Sequence, residues 1–411
     1  MDLEKRLYEA LRQATLNPRG SKPDLFKAPP EGSIRQTELG PIWMIETSYE
    51  EGYLHGRTEL ALDISSAPLE ILDPYCYNGN FNFSKTAVID TETTGLAGGT
   101  GTYPFIIGVG FWTENRFVVR QYILRDFSEE PAQLRTLASD LAGLSGILTY
   151  NGKTFDMPLL RTRFRINRME IPFGNHLHLD FMHPCRRLYK RHFDSLNLTN
   201  LEEKVLGFDR EDDVPAHIIP RLYFDYLQNR DESILLPIVN HNRNDIVSLY
   251  MLAQETFRRV ELALAQSLDD DLLLLSVGQI LYRSGQCQRS RELLSCIKPQ
   301  FAPRDIVDET LRLHSKAAHK MKDWDDALKI WNQMLRLGRF GCYPHIELAK
   351  HHEHRLKDYQ RALDYTKIAL RLVEFEREFV SPASYQNTLA ALKKRQSRLL
   401  EKMNKQQNVS S

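Results

Sequence analysis

The sequence has few cysteines and no excess of charge of either sign. Its 411 residues include five cysteines, an odd number, with no CxxC pair and no Cys/His spacing typical of zinc sites. This pattern predicts a reducing compartment and no structural zinc. The 54 Lys and Arg residues balance 54 Asp and Glu residues. That balance excludes a histone-like or supercharged binder, although a local basic patch is still compatible with it.

The sequence also has no long apolar run. Its stretch 105–112 has the length of a strand, whereas crossing a bilayer takes about 20 apolar residues. The first six residues alternate in charge and lack the apolar core of a signal peptide. We therefore expect a soluble, cytoplasmic protein that does not associate with membranes.

Three regions are predicted along the chain. Residues 1–82 are expected to form an N-terminal extension, with a helix over 1–16, a mobile linker rich in Pro, Gly and Lys, and short strands. Residues 83–258 contain three strand patterns followed by helix–strand alternation, which predicts an α/β mixed sheet flanked by helices. The predicted strands are 86–90, 103–112, 116–124 and 146–150, and the predicted helices include 130–144 and 155–166.

The third region, residues 262–405, contains only helical patterns and an internal repeat. Matching positions recur at offsets of 37 and 35 residues, close to the roughly 34-residue period of tetratricopeptide arrays. The matching sets are Gly278, Cys287, Ser290 and Leu294; then Ser315, Trp324, Ala327 and Trp331; then Lys350, Tyr359, Ala362 and Thr366. Three such units suffice for a small solenoid, through which we expect a protein partner to dock.

Two acids end the first predicted strand of the sheet. Side chains alternate between the faces of a strand, so Asp90 and Glu92 project from the same side, about 6–7 Å apart along the chain. Two carboxylates held together repel each other, and a hard divalent cation is the simplest partner for both. The alternative is a solvated strand end with two acids and no ligand.

Two later segments add further candidates. Asp156 falls in the first turn of a predicted helix, where the helix dipole favours an acid whatever its function, and Asn151 before it is a common turn former. His241 and Asp245 are four residues apart on a predicted helix, hence about 40° apart around its axis and on one face. Asn240 points about 140° away from Asp245. Taken alone, the His–Asp pair is equally typical of a surface hydrogen bond.

In this order, the three segments resemble the DEDD (DnaQ-like) exonucleases of the ribonuclease-H-like fold. The stretch DTETTGLAGGTGTY over 90–103, together with the repeat region, is similar to the YprB-type branch of that superfamily. The resemblance covers about residues 85–254 for the nuclease core. It implies a metal-dependent 3′–5′ exonuclease that hydrolyses nucleic-acid phosphodiesters by a two-metal mechanism.

The resemblance also implies roles for individual residues. The four metal-binding carboxylates of the family match Asp90, Glu92, Asp156 and Asp245, which would hold two Mg²⁺ or Mn²⁺ ions. Oxygen ligands without a thiolate suit these metals better than zinc.

His241 matches the residue that deprotonates or orients the attacking water, a task that its ordinary pKa of about 6.5 suits. The histidine subclass usually places this residue five positions before the last Asp, whereas His241 is four positions before Asp245. We further expect substrate contacts from the backbone near Thr93 and from the side chain of Asn151.

A basic stretch suggests the substrate. Residues 161–192 contain eight Lys and Arg against two Asp and Glu, a net charge of 8 − 2 = +6, which fits the phosphate backbone of DNA or RNA, in particular single-stranded ends. A solvated helix face balanced by the acids that follow is the other interpretation. Phe164, Phe181 and Tyr189 within the stretch are candidates for base stacking, although aromatic residues are more often buried.

Two other functions are compatible with the sequence. One is a catalytically inactive scaffold that binds nucleic acid or protein, using the helical repeats. The other is an adaptor that acts through the repeats alone, which leaves the four acids unexplained.

Overall fold

The computed structural model describes residues 29–95, 100–211, 213–375, 377 and 381–410, and the side chains of the last segment up to residue 406. The helix predicted over 1–16 and most of the linker after it lie outside the described residues. The contacts between residues divide the chain into two compact units, Met1–Ser267 and Leu268–Ser411. Among the described helices, none combines the length and the apolar character needed to cross a membrane.

The first unit is built on a seven-stranded mixed sheet. Its spatial order is β1-β2-β7-β6-β5-β8-β9, and β3 and β4 form a separate two-stranded ladder. The strands are β1 Ser33–Thr37, β2 Gly40–Glu50, β3 Leu54–His55, β4 Thr58–Glu59, β5 Thr86–Thr93, β6 Pro104–Thr113, β7 Arg116–Ile123, β8 Gly146–Thr149 and β9 Leu177–Asp180. In this spatial order, the adjacent strands β1, β2, β7, β6 and β5 pair antiparallel. Strand β8 pairs parallel with β5, and β9 pairs parallel with β8.

Two strands of this sheet come from the segment predicted as an N-terminal extension. Strand β2 pairs with β7 from Trp43↔Ile123 to Glu50↔Arg116, and β1 pairs with β2. The four strands predicted from β-branched and aromatic runs form as β5, β6, β7 and β8, with ends within a few residues of the predicted ones. The predicted mixed sheet flanked by helices is therefore confirmed, and it is wider than its sequence pattern indicated.

Helices cover both faces of the sheet. They are α1 Leu69–Leu72, α2 Pro74–Asn78, α3 Glu130–Leu141, α4 Asp156–Ile166, α5 Met182–Tyr189, α6 Leu198–Leu201, α7 Ile219–Asn229 and α8 Leu236–Leu264. On one face, Ile89 and Ile107 pack with residues of α3 and α4. On the other face, Trp43, Ile45 and Ile106 pack with residues of α7 and α8. Alternate residues of each strand therefore serve two separate apolar layers.

The second unit is all helical. Its helices are α9 Asp271–Arg283, α10 Cys287–Leu294, α11 Arg304–Met321, α12 Trp324–Leu337, α13 Tyr343–His351, α14 Tyr359–Phe375 and α15 Pro382–Ser410. The repeat positions Cys287, Trp324 and Tyr359 each begin the second helix of a pair. The periodicity in the sequence thus coincides with three successive helix pairs. Their assignment to the tetratricopeptide type remains a prediction.

One buried acid joins the last helix to the third pair. Glu353 is 0% exposed, and its carboxylate accepts hydrogen bonds from Arg395 at 2.6 Å, Arg398 at 2.8 and 2.9 Å, and Lys402 at 2.8 Å. The three cations lie at i, i+3 and i+7 on one face of α15. Burial acts to raise the pKa of Glu353, but the hydrogen bonds and positive charges outweigh it and lower the pKa to about 2.

We predict that this cluster makes the second unit sensitive to acid. Because the folded pKa of Glu353 is about 2 and its ordinary value is about 4.3, its stabilisation is complete above the ordinary value and is lost as the pH falls towards 2. The free energy of unfolding measured by urea titration from pH 5 to pH 2 should fall less in Glu353→Gln than in wild type. The exposed Glu401→Gln change on α15 should retain the wild-type slope, and equal slopes in all three proteins would contradict the prediction.

Candidate active site

Strand β5 places two carboxylates on the face of the sheet covered by α8. Asp90 is paired with Gly108 and Glu92 with Ile106 on the neighbouring strand, and the register shifts between Glu92 and Thr93. Since side chains alternate along a strand, Asp90 and Glu92 share this face, as predicted. The strand changes along its length from buried apolar residues to half-buried polar ones, which brings both acids to the edge of the core.

A glycine allows α8 to come close to these acids. A Cβ atom at Gly108 would lie 2.2 Å from the Oδ1 atom of Asn242, so only glycine fits under this side chain. Asn242 is fully buried, its Nδ2 donates to Asp90 Oδ2 at 2.8 Å, and its Oδ1 accepts from Gln121 Nε2 at 2.9 Å. Gln121 also donates to the carbonyl of Val239 at 2.8 Å. These bonds fix the position of α8 over β5, β6 and β7.

The candidate histidine faces one acid of β5, Glu92, and one acid of its own helix, Asp245. Its Nε2 atom lies 4.0 Å from Glu92 Oε1 and 3.6 Å from Asp245 Oδ2. His241 is buried, whereas Asn240 is exposed and accepts a hydrogen bond from Arg243 at 2.7 Å. The four-residue spacing therefore brings His241, and not Asn240, into the cluster.

Asp156 approaches from the other side of β5. The hydroxyl of Thr91 donates to Asp156 Oδ1 at 2.6 Å, and Thr91 is the residue between Asp90 and Glu92. Asp156 is the first residue of α4, so the chain enters the helix at the end of the sheet where β5 stops. Acids from β5, α4 and α8 thus come together although they are far apart in sequence.

Burial and mutual repulsion shift the pKa values of the carboxylates in this cluster. Burial and the neighbouring carboxylates raise the pKa of Asp90 well above its ordinary value. Burial raises the pKa of Glu92 to about 8, against the opposing effect of His241, and raises that of Asp156 to about 6. Burial acts to lower the pKa of His241, but the charges of Asp245 and Glu92 outweigh it and raise the pKa. A cation bound among these carboxylates would relieve the repulsion.

Three of these side chains already have the spacing of a metal site. One ligand atom from each of Glu92, His241 and Asp245 lies within 4.8 Å of the others. Asp90 is close enough to Glu92, Asp245 and Asp156 for each of them to raise its pKa. Carboxylate oxygens in this number suit a hard divalent ion such as Mg²⁺ or Mn²⁺.

The structure adds residues that the sequence did not single out. The guanidinium of Arg210 pairs with Asp245 Oδ1, with Asp213 Oδ2 at 3.1 Å and with Glu202 Oε2 at 2.7 Å. Asp213 Oδ1 lies 2.7 Å from Nδ1 of His241. A hydrogen bond at Nδ1 orients the imidazole and leaves Nε2 directed towards the acids. No spacing in the sequence relates Arg210 or Asp213 to α8, because α7 and the turns on either side of it separate them.

The two residues expected to contact substrate have local roles as well. Thr93 donates through its hydroxyl to the carbonyl of Gly95 at 3.0 Å. Asn151 has a left-handed backbone with φ of 64°, and its backbone N–H donates to the carboxylate of Asp180 at 2.8 Å. Asn151 is thus a turn residue held by a buried acid, and substrate contacts at either position remain a prediction.

Part of the basic stretch 161–192 is structural. Arg163 is 2% exposed and forms a bidentate pair with Glu130, at 2.5 and 2.6 Å. The aromatic candidates Phe164, Phe181 and Tyr189 are fully buried. Base stacking by these three rings is therefore excluded, and the more common interpretation, core packing, is correct.

Comparisons with known proteins agree with the fold. Residues 87–256 match a family model described as RNase_H superfamily. The chain is 28% identical over 296 residues to the Bacillus subtilis (strain 168) protein named "Uncharacterized protein YprB". The aligned region covers 71% of this chain and 70% of the relative. The first unit therefore has the ribonuclease-H-like fold, followed by a helical region, as the sequence predicted.

We predict that Arg210 is needed for stability because it pairs with a buried acid. Arg210 and Glu202 have side chains 3% and 1% exposed, and removing one member of a buried pair costs about 3–5 kcal/mol. Arg258→Ala is the matched control, since Arg258 is 59% exposed and its partner Glu255 keeps Arg259 at 2.8 Å. An exposed pair contributes less than about 1 kcal/mol.

The measurement is urea unfolding of both variants, followed by hydrogen exchange in peptides from β5 and α8. Protection in these peptides should decrease strongly in Arg210→Ala and stay near wild type in the control. Equal protection in the two variants would show that the buried pair does not stabilise the site.

Proposed function

We propose that the protein is a metal-dependent 3′–5′ exonuclease of the DEDD type that hydrolyses nucleic-acid phosphodiesters with two Mg²⁺ or Mn²⁺ ions. The observation that supports this most directly is the convergence of four carboxylates from three elements beside a buried histidine. A ribonuclease-H-like fold is typical of nucleases that act with divalent metals. The direction of cleavage and the two-ion mechanism come from the resemblance to the exonucleases.

The residues of the cluster divide into three tasks. Asp90, Glu92, Asp156 and Asp245 would hold the ions, which when bound stabilise the charge that develops on the attacking and leaving oxygens. His241, with Nδ1 bonded to Asp213, presents Nε2 to accept or orient the proton of the attacking water. The remaining oxygens of Asp245 and Asp90 are held by Arg210 and Asn242, which keeps the carboxylates in place before substrate binds.

The inactive scaffold is the alternative. A site without turnover is expected to have substituted some of its acids, whereas all four are present and close together. Binding of nucleic acid without cleavage stimulated by a divalent metal would favour the scaffold. A protein partner for residues 262–405 and a cytoplasmic location are further predictions that accompany either function.

We predict that cleavage depends on both the carboxylates and the metal. Asp90→Asn and Asp245→Asn should each reduce cleavage of an end-labelled oligonucleotide by at least about 10²-fold, because even partners of metal ligands contribute about 10–100-fold. EDTA should abolish the wild-type activity, and Mg²⁺ or Mn²⁺ should restore it. Asp225→Asn is the control, since Asp225 lies on α7 and forms a 3.8 Å surface pair with Arg221.

The same assay tests direction. A 5′-labelled strand should shorten one nucleotide at a time, whereas a 3′-labelled strand should release its label as a mononucleotide at once. Equal residual activity in wild type and in the two Asp→Asn variants would reject the proposed nuclease.

We predict that His241, rather than the residue five positions before Asp245, takes part in the chemical step. His241→Asn should lower kcat by about 10²–10⁴-fold with little change in KM, because a positioned general base contributes this much. Asn240→Ala should retain wild-type kinetics, since Asn240 is exposed on another side of α8. Steady-state kinetics on a short single strand measure both, and a larger loss in Asn240→Ala than in His241→Asn would contradict the assignment.

A further inference from the structure

The second unit has a basic cavity lined by the first helix of each pair. Its volume is about 600 Å³, and residues of α9, α11 and α13, with the start of α12, form its walls. Lys316, Lys320 and Lys322 project into it from α11 and the residue after it. All three lysines are exposed.

The cavity has a clear excess of positive charge. Besides the three lysines, Lys350 and Glu347 line it and pair with each other at 2.6 Å. Within the described part of the chain, no carboxylate forms an ion pair with Lys316, Lys320 or Lys322. The ammonium groups are thus available to an anion, and flexible lysines bind phosphates as point charges rather than in one fixed geometry.

Aromatic rings line the same cavity as these cations. Tyr282, Trp324 and Tyr343 line the cavity and are each half-buried. Lys320 Nζ lies 5.4 Å from the ring centroid of Tyr282, and the guanidinium of Arg355 lies 5.0 Å from that of Trp324. Cations together with partly exposed rings are a combination by which proteins bind single strands, because the bases stack on the rings while the backbone follows the positive charges.

We propose that this cavity is a second nucleic-acid site, which binds single-stranded DNA or RNA without sequence preference. An acidic peptide would satisfy the lysines but would make no specific use of the exposed parts of the three half-buried rings. The presence of a nuclease-type domain in the same chain also favours nucleic acid, and to this extent the inference rests on the proposed function. Duplex should bind more weakly because its bases are already stacked.

The experiment uses the full chain as Asp90→Asn in EDTA, so that binding is measured without cleavage. A single-stranded oligonucleotide containing 5-iododeoxyuridine is crosslinked to the protein by irradiation at 0.1 M salt, a concentration of about the physiological order. Mass spectrometry then identifies the crosslinked peptides. Repeating the measurement over a series of oligonucleotide concentrations gives the concentration at which crosslinking of each peptide is half-saturated. We expect crosslinks in peptides that contain Tyr282, Trp324 or Tyr343.

Lys316→Gln/Lys320→Gln is the test variant. Each phosphate contact on a single strand contributes a salt slope of about 0.7, so losing two contacts should weaken crosslinking at these peptides about 25-fold at 0.1 M salt. Lys329→Gln/Lys367→Gln is the control, because it removes the same charge from exposed positions on α12 and α14. Crosslinks within residues 29–267 should be equal in all proteins.

Tyr282→Leu separates stacking from charge. Leucine keeps an apolar side chain at this position but removes the aromatic ring. The substitution should therefore weaken binding of the oligonucleotide several-fold without affecting binding of a poly-glutamate peptide. Absence of crosslinks in the second unit, or equal affinities in the two lysine variants, would overturn the proposal. Displacement of the oligonucleotide by poly-glutamate at equal concentration would assign the cavity to acidic peptides instead. None of these outcomes depends on whether the wild-type protein cleaves nucleic acid.

Discussion

The close approach of α8 to the sheet is the constraint on which the candidate site depends. Four carboxylates must lie near one another at the edge of an apolar core, where each disfavours ionisation of its neighbours. Gly108 leaves room for Asn242, and Asn242 joins Asp90 to Gln121 in a buried hydrogen-bond chain. Without this contact the helix would stand further from β5, and the acids of the strand and the helix would no longer form one cluster.

One neighbouring cation, the guanidinium of Arg210, compensates for part of this concentrated charge. Arg210 is bonded to both Glu202 and Asp245, and Asp213 holds the far side of His241. These contacts use the oxygens and nitrogens that point away from the cluster. The inner atoms remain directed towards one another, and the raised pKa values of Glu92 and Asp156 indicate that the compensation is incomplete. Under the proposed function, this arrangement would give the folded protein its affinity for divalent cations.

Sequence patterns predicted the features that depend on the geometry of a single strand, a single helix or a repeated unit. The alternation of a strand placed Asp90 and Glu92 on one face, and the 100° step of a helix selected His241 over Asn240. The repeat offsets matched Cys287, Trp324 and Tyr359 with one another, and in the structure each of these residues begins a helix. In each of these cases the relation involves residues within one element, or units that repeat along the chain.

Relations between distant elements were not predictable in the same way. The pairing of β2 with β7 joins segments about 75 residues apart, a distance at which a hydrophobic pattern does not specify the partner. Arg210 and Asp213 act through tertiary contacts, and no spacing marks them. The burial of Arg163 was not predictable either. Its charge suggested a phosphate contact, whereas in the structure it is buried and pairs with Glu130.

The proposed nuclease requires the carboxylates of β5, α4 and α8 to share a pair of divalent ions. Anomalous diffraction from crystals soaked in Mn²⁺ is the direct test. We expect two manganese peaks about 3.5–4 Å apart, in contact with Asp90 and with oxygens of Glu92, Asp156 and Asp245. Absence of bound manganese at this cluster, or a single ion that leaves Asp156 and Asp245 without contact, would contradict it.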